Sequence, residues 1–210
     1  EESIRRCWAS AFSEKVRSYQ IQRGAAIGSV GVIIQKMVAA TIAGVSFSRN
    51  PVHPLDKSTL LISGVCGLGE GLVSGFLEAD EFEVDRTSLQ AKRCHIAKKR
   101  QLIRPLPQGG TTVGDVTPET QAEACLTQAQ IQAIASLTIK AEQCFGAPQD
   151  CEWALEGETL FFLQSRRITS VPPLAYYCDD VLGTRATLWD NSNIIESYCG
   201  VTTPLTFSFV

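Results

Sequence analysis

The sequence predicts an α+β domain, a mostly antiparallel sheet flanked by helices. Three observations predict it: short β-branched or alternating runs within residues 30–65 and 150–164, two longer runs with apolar residues every three or four positions near 4–22 and 127–144, and Gly and Pro punctuation between them.

Taken in order, Ser3 is placed to cap a helix whose apolar positions Ile4, Cys7, Trp8, Ala11, Phe12, Val16 and Tyr19 share a face, and Gly24 stops it. Residues 30–38 and 41–47 are rich in β-branched side chains and read as strands joined at Ala39 and Ala40, with Ile33, Ile34 and Met37 expected in the core. A further buried strand follows at 59–65, then a glycine-rich turn over 64–71. Residues 81–84 and 89–96 alternate around residues 85–88, as in an exposed antiparallel hairpin. Three prolines and three glycines in 104–120 predict a loop. Thr127 starts a second helix through Ile131, Ile134, Leu137 and Ala141, which Gly146 and Pro148 end. Residues 150–155 and 158–164 form a hairpin about Glu156 and Gly157, and beyond Arg166 the chain reads as an irregular arm with a boundary at Pro172 and Pro173.

Composition narrows the function classes. The 210 residues are 44% hydrophobic and 20% charged, so a core forms without staples. A net charge of −3 gives no electrostatic reason to expect nucleic acid, which demands clustered Lys and Arg. The basic run at 91–100 reads as a solvated strand pair. Eight cysteines are scattered with no C-x-x-C pair, and Cys66, Cys125 and Cys151 sit in apolar patterns, so they are expected to be reduced and the protein cytoplasmic. No run of 18 apolar residues predicts a membrane span. A first residue that is not Met and an apolar last segment are expected of a piece of a longer protein.

The chemistry concentrates in PQDCEWALEGETLFFLQSRRIT, residues 148–169. Strand alternation sets Asp150 and Glu152 on one face and Cys151, Trp153 and Leu155 on the other. Carboxylates with the amide of Gln164 and the guanidinium of Arg166 can hold magnesium and polyphosphate together, because magnesium takes hard oxygen ligands and Arg bonds phosphate in two-pronged fashion. Parity tests the idea. A two-residue turn at Glu156 and Gly157 would set Glu152 opposite Phe161 and send Gln164 to the other side, whereas a three-residue loop or one bulge elsewhere puts Glu152 and Gln164 on the same face. Spacing alone favours an ordinary amphipathic hairpin with a polar solvent face.

This segment resembles the closing hairpin of the ATP-grasp domain in the phosphoenolpyruvate synthase and pyruvate phosphate dikinase superfamily, where an acid-x-Glu strand precedes a Leu-Gln-x-Arg strand. The resemblance implies that Glu152 and Gln164 bind Mg2+ and nucleotide, that Arg166 contacts phosphates in catalysis, and that Asp150 is the preceding acid. The family usually has Pro where Arg167 stands, which alters the exit path and leaves the ligands intact. Further matches are VIIQKMV (32–38), similar to the hinge whose backbone at Gln35, Lys36, Met37 and Val38 meets adenine, and AGVSFSRNP (43–51) and GLGEGLVSG (67–75), similar to adjoining family signatures. WDNSNIIESYCGVTTPLTFSF (189–209) resembles the connector that follows this domain in the synthase-like and rifampin-phosphotransferase-like members. The glycine segment by itself is neither a dinucleotide fingerprint nor a P-loop.

The resemblance implies the second lobe of an ATP-grasp fold over 1–169, incomplete without a first lobe, and a connector over 170–210. It implies ATP and Mg2+ as cofactors, and as partners the missing lobe, a phosphohistidine domain and an acceptor domain of the same protein. The expected activity is that of an ATP-dependent dikinase passing phosphate to pyruvate, with an antibiotic-modifying phosphotransferase or a noncatalytic nucleotide-binding scaffold as alternatives. Neither His53 nor His95 stands in the glycine-rich, Ala-Ala context of the family's phosphohistidine, so both are expected in a loop or at the surface, and this chain alone is expected to be inactive.

Overall fold

Alternating apolar residues in the middle of the chain become one sheet. In a computed structural model, which describes residues 1–14, 16, 31–51, 53 and 56–168 and the backbone of 177–179 and 186–188, the strands are β1 (Ile42–Phe47), β2 (Thr59–Cys66), β3 (Asp80–Asp85), β4 (Ala91–His95), β7 (Gln149–Glu156) and β8 (Thr159–Arg167). They line up in the order β4-β3-β2-β1-β7-β8, with every neighbouring pair antiparallel. The α+β, mostly antiparallel expectation holds.

One face of this sheet is covered by the long helix α3 (Gln128–Phe145). A capping box fixes its start: Thr127 Oγ1 accepts from the Gln130 N–H while the Gln130 amide oxygen accepts from the Thr127 N–H, and Gly146 takes the left-handed cap at its end. Ile131, Ile134 and Ala135 of the helix pack on Leu60, Ile62, Phe82, Val84, Trp153 and Leu155, the inward positions of three strands. Trp153 is 1% exposed, and truncating a ring this deeply packed costs about 3–5 kcal/mol.

Glycines in the neighbouring strands make room for that ring. A Cβ on Gly44 would lie 2.0 Å from the Ser63 carbonyl oxygen and 2.5 Å from Trp153 Cζ2. Gly44→Ala is therefore expected to destabilise the domain by on the order of 3 kcal/mol, read as a lowered urea midpoint. An unchanged midpoint would show that β1 and β7 can separate without cost.

The stretch 104–120, expected as a loop, contains a hairpin. Strands β5 (Gln101–Pro105) and β6 (Thr111–Asp115) pair with Gln101 opposite Asp115 and Pro105 opposite Thr111. Gly109 and Gly110, with φ of 93° and 84°, form its turn, so the glycines reverse a ribbon whose arms are β-branched. The hairpin leans on the second face of the sheet through Ile103, which joins Val38, Ala40, Ala43, Leu68, Leu77 and Ala154 in a second apolar cluster. Gly67 permits the approach: its φ is 80°, it bridges Ile103, and a Cβ there would come 2.2 Å from the Ile103 carbonyl oxygen. A short helix, α2 (Glu70–Val73), follows within the glycine segment.

The basic run is less solvated than its composition suggests. Its first half is strand β4, but Lys99 turns inward and is 4% exposed. Its ammonium donates to Asp80 Oδ1 (2.7 Å) and the Ala97 carbonyl (3.1 Å), while the Asp80 carboxylate also accepts from the backbone N–H groups of Ala97 (2.9 Å) and Cys125 (2.7 Å). One buried ion pair thus ties the start of β3 to the segment after β4 and to the loop before α3.

Residues 1–37 and 38–210 form two compact units. In the first, helix α1 (Glu2–Ser10) begins after Glu1, so Ser3 lies inside the helix and is not its cap. Its expected continuation to residue 22 lies largely outside the described residues. The expected strand at 30–38 does not form: residues 31–40 have no regular structure, and Ile33, Ile34 and Met37 are exposed, not core. β-Branched residues fit a pleated surface, and without a partner strand their propensity has nothing to act on. In the arm beyond Arg166, expected to be irregular, Tyr177–Asp179 (β9) pairs antiparallel with Ala186–Leu188 (β10). Residues 189–210 lie outside the described residues.

The six cysteines whose side chains are described are free. Burial pushes the Cys66, Cys125 and Cys151 thiols up from their ordinary value, so they pack as neutral groups.

Candidate functional site

Residues directly opposite in an antiparallel ladder share a face, so the register decides what the hairpin β7–β8 displays. Its turn is Gly157 and Glu158, with Glu156 opposite Thr159, one residue later than the sequence suggests, and Gly157 takes a φ of 62°. From there Leu155 pairs with Leu160, Ala154 with Phe161 and Trp153 with Phe162. A bulge between Trp153 and Glu152 then admits Leu163 as an extra residue, so that Glu152 faces Gln164 and Asp150 faces Arg166. Without the bulge Glu152 would face Leu163, and Gln164 would turn to the helix-covered side. The bulge alternative is the one realised, and Leu163 packs against the second apolar cluster.

The open face of the hairpin is therefore built in rows. Ala154 is buried in the apolar cluster, beside Ala43 of β1. The next row holds Glu152, half-buried, and Gln164, exposed, beside Val45. Neither side chain makes a hydrogen bond or ion pair among the described residues, so both oxygens are available to a ligand. Opposite side chains in such a ladder have Cβ atoms roughly 5 Å apart. The third row holds Asp150, 9% exposed, and Arg166, whose Nε and Nη2 both lie 2.8 Å from Asp150 Oδ2. Asp150 thus orients the guanidinium, a role that spacing alone does not reveal because it depends on the bulged register. Beneath, Cys151, Trp153 and Leu155 are buried, as alternation requires.

Chemically, a carboxylate beside an amide oxygen, both unengaged, suits a hard cation that keeps most of its ligands as water and phosphate oxygens. Among the described residues no group of three or more His, Cys, Asp or Glu side chains is placed to hold a metal by itself. A metal here would be shared with a ligand, which fits this donor set. Of the hinge residues, Gln35, Lys36 and Met37 are exposed in the first unit, while Val38 begins the second and packs in the apolar cluster beside the Glu152 row. His53 and His95 are both exposed, as expected.

An α+β domain with these rows is of a class suited to a phosphorylated ligand with an apolar end. The particular family follows from comparison with known proteins. The family described as pyruvate phosphate dikinase, AMP/ATP-binding domain, matches residues 1–173, and the chain belongs to it. It is 36% identical over 173 residues to a rifampicin phosphotransferase of Bacillus cereus, covering 81% of this chain and 20% of that protein. It is 33% identical over 172 residues to a probable phosphoenolpyruvate synthase of Archaeoglobus fulgidus, covering 81% of this chain and 22% of the relative. A match to the prodigiosin synthesizing transferase PigC of Serratia marcescens, 33% identical, extends over 98% of this chain and 24% of that protein. The chain thus spans between a fifth and a quarter of the length of these relatives. Among the described residues no helix is long and apolar enough to cross a membrane.

Proposed function

We propose that this chain is the nucleotide-binding part of an ATP-dependent phosphotransferase, the second lobe of an ATP-grasp cleft, in a protein of the dikinase type. ATP would lie along the open face of β7 and β8, with adenine toward Val38 and the phosphates toward Arg166. Glu152 and Gln164 would hold Mg2+, which neutralises phosphate charge during transfer. Arg166, aimed by Asp150, would stabilise charge developing on the phosphates. The observation that carries this reading is the bulged register, which sets Glu152 beside Gln164 and Asp150 beside Arg166 on one face.

In this reading the phosphoryl group passes to a histidine elsewhere in the protein, since neither His53 nor His95 has a suitable setting, and then to pyruvate. A second reading, transfer to an antibiotic, is favoured by the 36% identity to rifampicin phosphotransferase. A noncatalytic scaffold would have no use for the Glu152, Gln164 and Arg166 constellation. A cytoplasmic location belongs to the same reading, from cysteines scattered along the sequence with no C-x-x-C pair.

Magnesium-ATP titration tests the reading. The complete protein should bind saturably, whereas this 210-residue chain by itself should bind weakly or not detectably, because the opposing lobe with its basic groups would be absent. Micromolar affinity of the isolated chain would overturn the half-cleft assignment.

A further inference from the structure

A further guanidinium, that of Arg49, stands at the end of β1 beside the Asp150 and Arg166 row. The paired strand β1 ends at Phe47, opposite Asp150, and Ser48 and Arg49 form the bend that follows. The Ser48 N–H donates to the Gln149 carbonyl (2.9 Å), and the Gln149 N–H donates to Ser48 Oγ (2.8 Å). Arg49 thus stands at the end of β1 that lies beside Asp150, two residues and at most about 7 Å of chain beyond Phe47.

Arg49 differs from the other sheltered cations of the sheet. Lys99 is paired with Asp80, and the Arg86 guanidinium is paired with Glu142 (2.8 Å) and bonds the Ser48 carbonyl. Arg49 is half-buried, its Nε is removed from solvent, and that N–H finds no acceptor among the described residues. No carboxylate among them forms an ion pair with it. Withdrawing a guanidinium donor from water without an acceptor is costly, and a planar five-donor fork is suited to phosphate oxygens.

Charge along the rows points the same way. Asp150 and Arg166 offset each other, and Glu152 is balanced once a divalent cation sits beside it, so a bound triphosphate still lacks a cation at its far end. We propose that Arg49, at the Asp150 end of β1, binds the terminal phosphoryl group of the nucleotide, and that this contact favours triphosphate over monophosphate. The proposal rests on the nucleotide reading above. It adds a second guanidinium, from the end of β1, to the phosphate end of the face.

The test is equilibrium binding of magnesium-ATP and of AMP to the complete protein, as wild type, Arg49→Met and Arg49→Lys, with thermal unfolding of each variant. Arg49→Met keeps the apolar stem and removes the unsatisfied donor, so the midpoint without ligand should not fall. Affinity for magnesium-ATP should drop on the order of tenfold, affinity for AMP should stay the same, and Arg49→Lys should lie between, retaining charge without the fork. Equal losses for both nucleotides, a lowered midpoint in both variants, or unchanged affinity throughout would overturn the proposal while leaving the site on β7 and β8 standing. Absence of saturable magnesium-ATP binding by the wild type would overturn the nucleotide reading and this proposal together.

Discussion

Replacing Glu152 with Gln in the complete protein is expected to lower the rate of ATP turnover on the order of 10²-fold or more, with the fold unchanged. The substitution keeps shape and removes a charge. Glu152 is half-buried and bonded to nothing among the described residues, so no structural bond is lost. What changes is the donor set beside Gln164, where the cation that neutralises phosphate charge would sit. Because phosphoryl transfer asks the protein mainly for positioning and charge neutralisation, the loss should fall on turnover more than on nucleotide affinity. Controls lie on the same hairpin. Glu156 and Glu158 are exposed at its turn, and their change to Gln should be nearly silent. A Glu152→Gln protein that consumes ATP at the wild-type rate, with an unaltered circular dichroism spectrum, would show that the carboxylate is not a metal ligand.

Asp80→Ala should have the largest effect on stability, about 3–5 kcal/mol. The change leaves the Lys99 ammonium buried with only the Ala97 carbonyl as partner among the described residues, and strips acceptors from the Ala97 and Cys125 N–H groups. Removing one member of a buried pair is costlier than removing both, so Asp80→Ala with Lys99→Met should recover part of the loss. Urea midpoints measure this, and a shift equivalent to about 0.5 kcal/mol or less in the single variant, the range of ordinary surface changes, would contradict it.

How much of this was legible in the sequence depended on whether the signal was local. The α3 ends were readable because capping is a matter of Thr127, Gln130 and Gly146 alone, β1 and β2 because short β-branched apolar runs mark strands, and the β7–β8 hairpin because alternation over a few residues reports a face. The strand expected at 30–38 failed for the converse reason: its β-branched run has no neighbour to pair with among the described residues. Residues 104–120 were misread because prolines and glycines of a hairpin turn look like those of a loop. Lys99 looked solvated because its partner Asp80 is 19 residues away and nothing local marks it as buried. In the candidate site, the residue types were visible while the geometry was not. The sequence allowed Glu152 and Gln164 to share a face only through a longer loop or a bulge, and the bulge at Leu163 decided it. The same bulge pairs Asp150 with Arg166, which composition could not foresee.

The central claim is that the Glu152 and Gln164 row holds the cation of a magnesium nucleotide. A crystal structure of the complete protein with Mg2+ and a non-hydrolysable ATP analogue tests it most directly. The expected result is Mg2+ about 2.1 Å from a Glu152 carboxylate oxygen, close to the Gln164 amide oxygen, and bridging phosphate oxygens, with Arg166 on the phosphates. A fully occupied nucleotide whose Mg2+ is held elsewhere, with Glu152 and Gln164 facing solvent, would contradict it.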